Sequence, residues 1–507
     1  VVYCRFPKLV ANDKIGRIEI ARPLCESISS SQRGHARGEL MAHLRRNLGL
    51  LEAIGLSLSI IAPTMAMAFN VSLGVGVAGH AVPLAFALGA VALAIVGLSF
   101  AAFARRVAHA GSAYAYIAEA FGARMGFLAG WALLLTYLTF CAGTATLTGN
   151  FFDAALDNYG ITVPGIWVVI AVLAIVIAAA LAYRDTQLAA RLMLALEAMS
   201  VFAIVALGVV VLVKVGAHGG LSMKPFAPDP EFGWSGVGYA IVFAVLAFAG
   251  FEGAATLGEE TGDPNRAIPI AVLGTVILAG VFYVFASYMQ VVGFGLGNMK
   301  ELAADSAPLN TLALRFGSRG FATLLDVAAA VSAFSCVLGS MSAAARMLFA
   351  LGRAGLAPGL GIVHERYGTP GTAIMAVGAV AIAGVVFWAP FVGIASFVGG
   401  SGTMGSLALI LVYMGVTVAE AVDAARSGKT LWVTFGVLGA MILLWPLYNS
   451  IYPEPAFPKN LWPYFVIAYL AIGGVLFALR PAIAHGKGES FSWVDTTAEE
   501  QPEEGQV

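Results

Sequence analysis

The sequence predicts an all-α integral membrane protein of about twelve transmembrane helices. They form two inverted repeats of five, with the first and sixth helices broken, followed by two further spans. Three observations carry this expectation. The 507 residues are 59% hydrophobic and only 11% charged, whereas soluble domains carry roughly 25% charged residues. Many windows exceed the ~18 consecutive apolar residues that mark a spanning helix. Two of the apolar stretches, five spans apart, are interrupted near their middle, at Pro63 and at 248–253.

The spans fall at 49–74, 82–104, 123–150, 164–183, 190–213, 236–257, 268–293, 320–345, 372–391, 394–416, 430–450 and 461–479. With the N-terminus placed in the cytoplasm, seventeen Lys and Arg from Arg33 onward fall on inner segments. Six fall outside: Lys214, Lys224, Lys300, Arg315, Arg319 and Lys459. Cytoplasmic loops are enriched in Lys and Arg, so both termini are expected in the cytoplasm of a multi-pass protein of the cytoplasmic membrane. The formal net charge of −1 carries no such information, because placement rather than the sum is what counts.

The first span contains Ser59-Ile60-Ile61-Ala62-Pro63-Thr64. Proline at mid-span removes a backbone donor and clashes with the preceding turn. The sixth span reads Phe248-Ala249-Gly250-Phe251-Glu252-Gly253, two glycines flanking a carboxylate at membrane depth. Five spans separate the two interruptions, so the second set enters the membrane from the opposite side. This is the pattern of inverted repeats with discontinuous helices, with repeat one at about 49–213, repeat two at about 236–416 and added helices at about 430–479.

The first ~40 residues are polar and irregular, and Met41 opens a stretch that reads like a natural start. Residues 1–40 are expected to be a disordered tail or an upstream mis-start. The polar, acidic end, residues 481–507, is expected to be a disordered cytoplasmic tail. Cys4, Cys25, Cys141 and Cys336 have no spacing that suggests a metal site or a disulfide framework.

Three motifs then carry a family resemblance. Glu260 followed by Asp263-Pro264-Asn265-Arg266-Ala267-Ile268-Pro269 resembles the signature after the sixth span of the amino acid–polyamine–organocation permeases, with Asp263 where Asn is usual. The loop from Ala104 to Tyr116 is similar to that family's P-x-A-G-G-x-Y-x-Y pattern, lacking the proline and carrying Ser112 for a glycine. Arg346 to Pro370 is similar to its loop after the eighth span, with Ala354 where Asp is common. Ala62-Pro63-Thr64-Met65-Ala66-Met67 departs from the G-x-G-I-F form of the better-known exchangers and resembles the A-P-T-x-A-M form of another branch. The resemblance spans residues 41–480 and implies a LeuT-like permease domain.

A zwitterion in a low-dielectric site needs partners at both ends. The half-helix from Pro63 presents free N–H groups and a positive dipole end, suited to a carboxylate. The break in the sixth span frees carbonyls for an ammonium, and Gly250 and Gly253 permit close approach. The expected lining is Ser59, Ile61, Ala62, Pro63, Thr64, Phe248, Ala249 and Gly250, acting largely through backbone. Phe248 and Phe251 are candidates to cover the substrate, and the resemblance implies an aromatic gate in this segment. Tyr137 stands behind them, as a cover or as a packing residue.

A charge at the bilayer centre costs about 2.5–3.5 kcal/mol on insertion scales, so intramembrane carboxylates mark functional or paired positions. Glu197 and Glu252 are the candidates for coupling or gating. In proton-coupled members of the resembled family a fifth-span lysine stands in for a sodium ion, and Glu197 falls at or near that position. It carries a coupling proton, helps bind a coupling ion, or pairs with Arg191 or Arg184. Glu252 either bonds the N–H groups freed by the break or acts in gating. Glu259, Glu260 and Arg266 form a charged inner loop, read as a solvated turn or as a gate.

The expected function is secondary active transport of amino acids by alternating access, as a proton symporter, with an amino acid or polyamine exchanger as the alternative. A membrane nutrient sensor is the reading of another class. An enzyme is not expected, since no catalytic motif stands in the spans. The expected partners are a small amino acid or amine, H+ and the lipid bilayer, with no cofactor, metal or nucleic acid.

Overall fold

In the computed structural model the chain is described over residues 47–184, 186–305, 307–452 and 459–480. The two expected tails, with Cys4 and Cys25, lie outside these residues. Among the described residues the architecture is helical, and one isolated β-bridge joins Leu48 to Thr261.

Among the described residues, eleven helical stretches are long and apolar enough to cross a membrane. The first runs 55 residues, Leu50–Ala104, about 80 Å at 1.5 Å per residue, far more than a ~30 Å hydrocarbon core. It holds the first two expected spans. It comprises α1 (Leu50–Ile61), α2 (Pro63–Ala78) and α3 (Val82–Ala104), and it turns at Gly79, where φ is +55°. The reversal is evident from the ends: Leu48 before α1 bonds Glu260, and Gly258 lies against Ala108 just past α3.

The other elements follow in order. The short α4 (Ala113–Phe121) precedes α5 (Ala123–Asp157), α6 (Ile166–Arg184) and α7 (Thr186–Ala217). Next come α8 (Gly233–Ala247), a 3-10 segment (Phe251–Leu257) and α9 (Pro264–Phe294). Two short helices, α10 (Met299–Ala304) and α11 (Pro308–Phe316), lead to α12 (Arg319–Arg353). Finally α13 (Gly371–Ala383) continues through a π-turn into α14 (Ala389–Val392), and α15 (Ile394–Arg426), α16 (Thr430–Asn449) and α17 (Trp462–Leu479) complete the chain. The π-turn at Gly384–Trp388 has no signature in the apolar pattern that predicts the ninth span.

Both interruptions are present. Ala62 adopts the left-handed region (φ 45°, ψ 67°) between α1 and α2, a costly conformation for a residue with a Cβ. Its neighbour explains the need. Pro63 disfavours the α region at the residue before it and has no N–H to give the Ser59 carbonyl, yet at the first position of α2 that missing donor costs nothing. The second break lies at Gly250 (φ +108°). Beyond it the chain winds as a 3-10 helix rather than resuming the α-helix expected from the sequence.

The two broken segments pack on one another, α1 against the 3-10 segment and α2 against α8, while α12 and α15 pack along α5 and α9 along α3. Small residues permit the approach, as membrane helices require. A Cβ on Gly55 would lie 2.8 Å from the Ala190 carbonyl oxygen, and one on Gly89 would lie 2.7 Å from the Ala244 Cβ. Large apolar side chains such as Leu173, Val380, Met441 and Ile467 are more than half exposed on α6, α13, α16 and α17. Exposed apolar surface on this scale belongs in lipid, and the chain is a multi-pass membrane protein.

Candidate functional site

The breaks meet at mid-bundle. Ile60, the last-but-one residue of α1, lies on Gly250 and Gly253, where added Cβ atoms would fall 2.2 and 2.5 Å from its side chain. Ser57 ties the segments: its hydroxyl donates to the Phe251 carbonyl at 2.7 Å and accepts from the Ala254 N–H at 2.8 Å. The orphaned Ile60 carbonyl accepts from the Cys336 thiol at 3.2 Å, and the Ala247 carbonyl at the end of α8 accepts from the Tyr283 hydroxyl at 2.6 Å. Helix ends buried without such partners would be costly.

Glu252, fully buried, accepts hydrogen bonds from Tyr137 of α5 (2.8 Å) and from Tyr413 of α15. The freed Gly250 N–H reaches this group indirectly, donating to the Tyr413 hydroxyl at 3.3 Å. Glu197 is equally buried on α7. Its carboxyl oxygens lie 3.0 and 3.2 Å from the Ser332 hydroxyl of α12 and 3.4 Å from that of Ser200. Both serines touch the start of α2: Ser332 accepts from the Met65 N–H at 3.4 Å, and Thr64 donates to Ser200 at 3.0 Å. Arg191 pairs with Glu52 at 3.0 Å rather than with Glu197.

A cavity of about 550 Å3 opens at the breaks. Ile60, Ile61 and Ala249 stand at its base, and it follows α2 through Met65, Phe69 and Asn70 to Leu73, away from the end that holds Leu48. Phe243 and Leu246 of α8, Thr139, Phe140 and Thr144 of α5, Cys336 of α12, the first turns of α15 and Trp462 of α17 complete it. Among the described residues, none of the bordering side chains is charged. The threonines satisfy themselves, Thr139 on the Leu135 carbonyl and Thr144 on the Phe140 carbonyl. A smaller apolar pocket of about 240 Å3, between half-exposed Trp388 and Phe465, shares Ser396, Gly400 and Trp462 with this cavity and is lined by no residue of either break.

Of the residues expected to line a site, Ile61 and Ala249 border the cavity. Ser59, Ala62, Pro63, Thr64, Gly250 and Tyr137 are buried and do not border it. Phe248 packs edge-on against Tyr283, and Phe251 against Phe100 and Tyr413, both rings fully buried. Sequence reasoning missed the side-chain partners Ser57, Ser332 and Tyr413, and the walls from α5, α8 and α15. The one available signal was Tyr413, a polar aromatic inside an apolar span.

The opposite end is sealed. Leu48 N–H donates to the Glu260 carbonyl at 3.1 Å, and Gly262 N–H to the Leu48 carbonyl at 3.0 Å. Glu260 makes a two-pronged pair with Arg346, at 2.5 and 3.2 Å, both side chains almost fully buried. Glu259 takes Arg353 at 2.5 Å and the Ala110 N–H at 3.0 Å. Burial opposes the Glu259 charge, but His109, Arg353 and the Ala110 N–H outweigh it and hold its carboxyl below the ordinary range. His109, at 3.8 Å from Glu259, is pushed down to about 4 by burial. Its Nδ1 accepts the Gly111 N–H at 2.8 Å, which fixes the neutral tautomer with the proton on Nε2. Arg106 reaches Asp423 at 2.7 Å.

A bundle of inverted repeats with two apposed breaks, a cavity at one end and a sealed opposite end defines the class of LeuT-like membrane proteins. The chain belongs to the amino acid permease family, whose model matches residues 53–479. It is 29% identical to the low-affinity putrescine importer PlaP of Escherichia coli K12 over 68% of this chain and 75% of that one. It is 26% identical to the branched-chain amino acid permease BcaP of Lactococcus lactis, over 73% and 83%. Among solved structures, the outward-open, substrate-bound state of a Na+-coupled sialic acid symporter shares the fold. Its TM-score is 0.51 at 14% identity, over 80% of this chain and 91% of that one.

Proposed function

We propose that this protein is a secondary transporter of amino acids or related amines, working by alternating access in the cytoplasmic membrane, with proton symport as its mode. The observation that carries the reading is the pairing of two helix breaks with a cavity that runs from them along α2, while ion pairs and backbone hydrogen bonds tie the opposite end together. Backbone at such breaks binds polar groups without buried charge, and a one-sided cavity is what alternating access requires of each end state. The cationic residues favour the sealed end as cytoplasmic, with both termini inside and the cavity facing out.

Glu197 is the proposed proton carrier. It lies behind the first turn of α2, tied to Thr64 and Met65 through Ser200 and Ser332. Gain or loss of its proton therefore acts on the half-helix that ends at the cavity. Glu252, bridged to α5 and α15 by two tyrosines, is the proposed gating group, because it joins the moving break to the helices beside it. An enzymatic role has no support in the relatives, which are named as permeases and transporters.

The test is uptake of labelled amino acids and amines into sodium-free proteoliposomes, with and without an inward proton gradient. Gradient-driven accumulation supports symport. Rapid flux only into preloaded vesicles assigns exchange instead. No flux in either format rejects transport and leaves a binding sensor.

A further inference from the structure

We infer that the cavity selects an amino acid with an uncharged, apolar side chain, and that the Ser406 hydroxyl is a substrate contact. The inference rests on the transport reading and narrows its substrate class. The relatives named above do not agree on one: their names give putrescine and branched-chain amino acids, and a third relative, 24% identical, is a methylthioribose transporter of Bacillus subtilis.

The lining decides between them. A diamine carries two ammonium groups several bonds apart, and each needs an acceptor in place of water, preferably a charged one. The backbone of Ile60, Ile61 and Ala249, which borders the cavity at the breaks, is the place for one such group, through the second lone pair of a carbonyl. The second would stand among Phe69, Phe140, Phe243, Leu246 and Met65, with no carboxylate on the cavity surface. The two carboxylates nearest the breaks are committed elsewhere, Glu252 to Tyr137 and Tyr413, and Glu197 to Ser332 and Ser200. The same walls suit an aliphatic or aromatic side chain, which gains about 25 cal/mol for each Å2 of apolar surface it buries.

Ser406 is the second observation. It borders the cavity on α15 and is 5% exposed; its Oγ, itself covered in this conformation, has no hydrogen-bond partner among the described residues, and rotation about χ1 is what brings it to a ligand. The neighbouring hydroxyls bond their own helices. A buried hydroxyl left without a partner is unfavourable, and a bound polar group relieves it. Gly405, beside Ser406, accepts from Thr136 and packs on Thr139 and Phe140 of α5, the latter two themselves cavity residues.

The experiment is thermal stabilisation of the purified full chain in detergent by leucine, phenylalanine, lysine, glutamate and putrescine, each titrated to give an affinity. Leucine or phenylalanine binding at least tenfold tighter than putrescine, lysine and glutamate is the expected result. Equal or tighter binding of a charged compound overturns the inference and leaves the transport reading intact. Absence of any binding to the folded protein overturns both. Two variants sharpen the outcome. Ser406→Ala should leave the ligand-free melting temperature unchanged or higher while weakening leucine binding about tenfold. A loss of fold stability with unchanged affinity would mark Ser406 as structural. Leu246→Asp should admit putrescine and reject leucine, and a variant that still prefers leucine counts against the assigned wall.

Discussion

Ile60 sits directly on Gly250: a Cβ at Gly250 would lie 2.2 Å from the Ile60 Cγ2. The two helix breaks are thus not merely near one another but interlocked, one side chain filling the space that one missing side chain leaves.

This contact separates two substitutions that look alike in sequence. Gly250→Ala meets both the Ile60 clash and a backbone at φ +108°, where a side chain costs about 1–2 kcal/mol on top of about 1–3 kcal/mol for overpacking. Gly253→Ala meets only the Ile60 Cδ1, at 2.5 Å, the movable end of a flexible chain. Adding Ile60→Val should therefore rescue the melting temperature and uptake of Gly253→Ala and not those of Gly250→Ala. Valine keeps the Cγ2 that meets Gly250 and lacks the Cδ1 that meets Gly253, so equal rescue of both would overturn the assigned Ile60–Gly250 contact.

Three ion pairs of the sealed end join a broken-helix element to a neighbouring helix, Glu52 to Arg191, Glu260 to Arg346 and Glu259 to Arg353, and a fourth ties Arg106, just past α3, to Asp423 of α15. Glu260–Arg346 is the buried one. Arg346→Ala strands a buried carboxylate and should cost about 3–5 kcal/mol, whereas Glu260→Leu with Arg346→Met should recover most of that loss. Melting curves in detergent read both. The double variant should also label faster with a membrane-impermeant thiol reagent at a cysteine introduced near this end, because the lock has gone. Unchanged labelling would mean that the pair stabilises the fold without holding the end shut.

His109 sets a pH dependence with a defined sign. Burial lowers its folded pKa to about 4 from an ordinary 6.5, so between those values the unfolded chain binds more protons than the folded one. Stability from this group is complete above pH 6.5 and is lost as the pH falls toward 4, amounting to about 3 kcal/mol. Protonation also removes the Nδ1 acceptor that holds the Gly111 N–H. His109→Asn keeps an acceptor there without the titration, and its melting temperature should decline less steeply between pH 6.5 and 4. Parallel curves for the two proteins would exclude His109 as the cause.

Much of the fold was legible because it rests on long-range regularity. Twelve apolar segments, Pro63 and the Gly250–Gly253 pair are visible in one dimension, and their bilayer context permits few arrangements. The site was legible only in part. Pro63 and Gly250 announce the breaks through backbone chemistry, but Ser57, Ser332 and Tyr413 reach them from far along the chain, and a serine or tyrosine in a span reads no differently when it packs. Phe248 and Phe251 illustrate the converse. Their position beside a break suggests a cover over the cavity, yet the turn at Gly250 points both rings into the bundle against Tyr283 and Phe100.

Tyr413 holds two groups at once, the Glu252 carboxyl and the Gly250 N–H. Tyr413→Phe leaves both short of a partner and should destabilise by about 1–3 kcal/mol. Tyr137→Phe removes one bond to Glu252 and leaves the second, so its cost should be smaller. If Glu252 acts in gating, both variants should slow turnover more than they weaken substrate binding. An affinity loss at constant turnover would instead place Glu252 with the groups that shape the cavity.

Glu197 gives the sharpest functional prediction. Glutamine matches glutamate in shape and can still meet Ser332 and Ser200, but it cannot take up or release a proton. In Glu197→Gln, exchange between preloaded vesicles and the medium should persist, because exchange returns the carrier loaded. Net accumulation against a gradient should fall to the level seen without an inward proton gradient. Ser332→Ala should act differently: it keeps the titrating group but cuts its link to the Met65 N–H, so accumulation should remain coupled at a reduced rate. A Glu197→Gln protein whose uptake still responds fully to the proton gradient would remove Glu197 from coupling and turn attention to Glu252, the other carboxylate at the breaks.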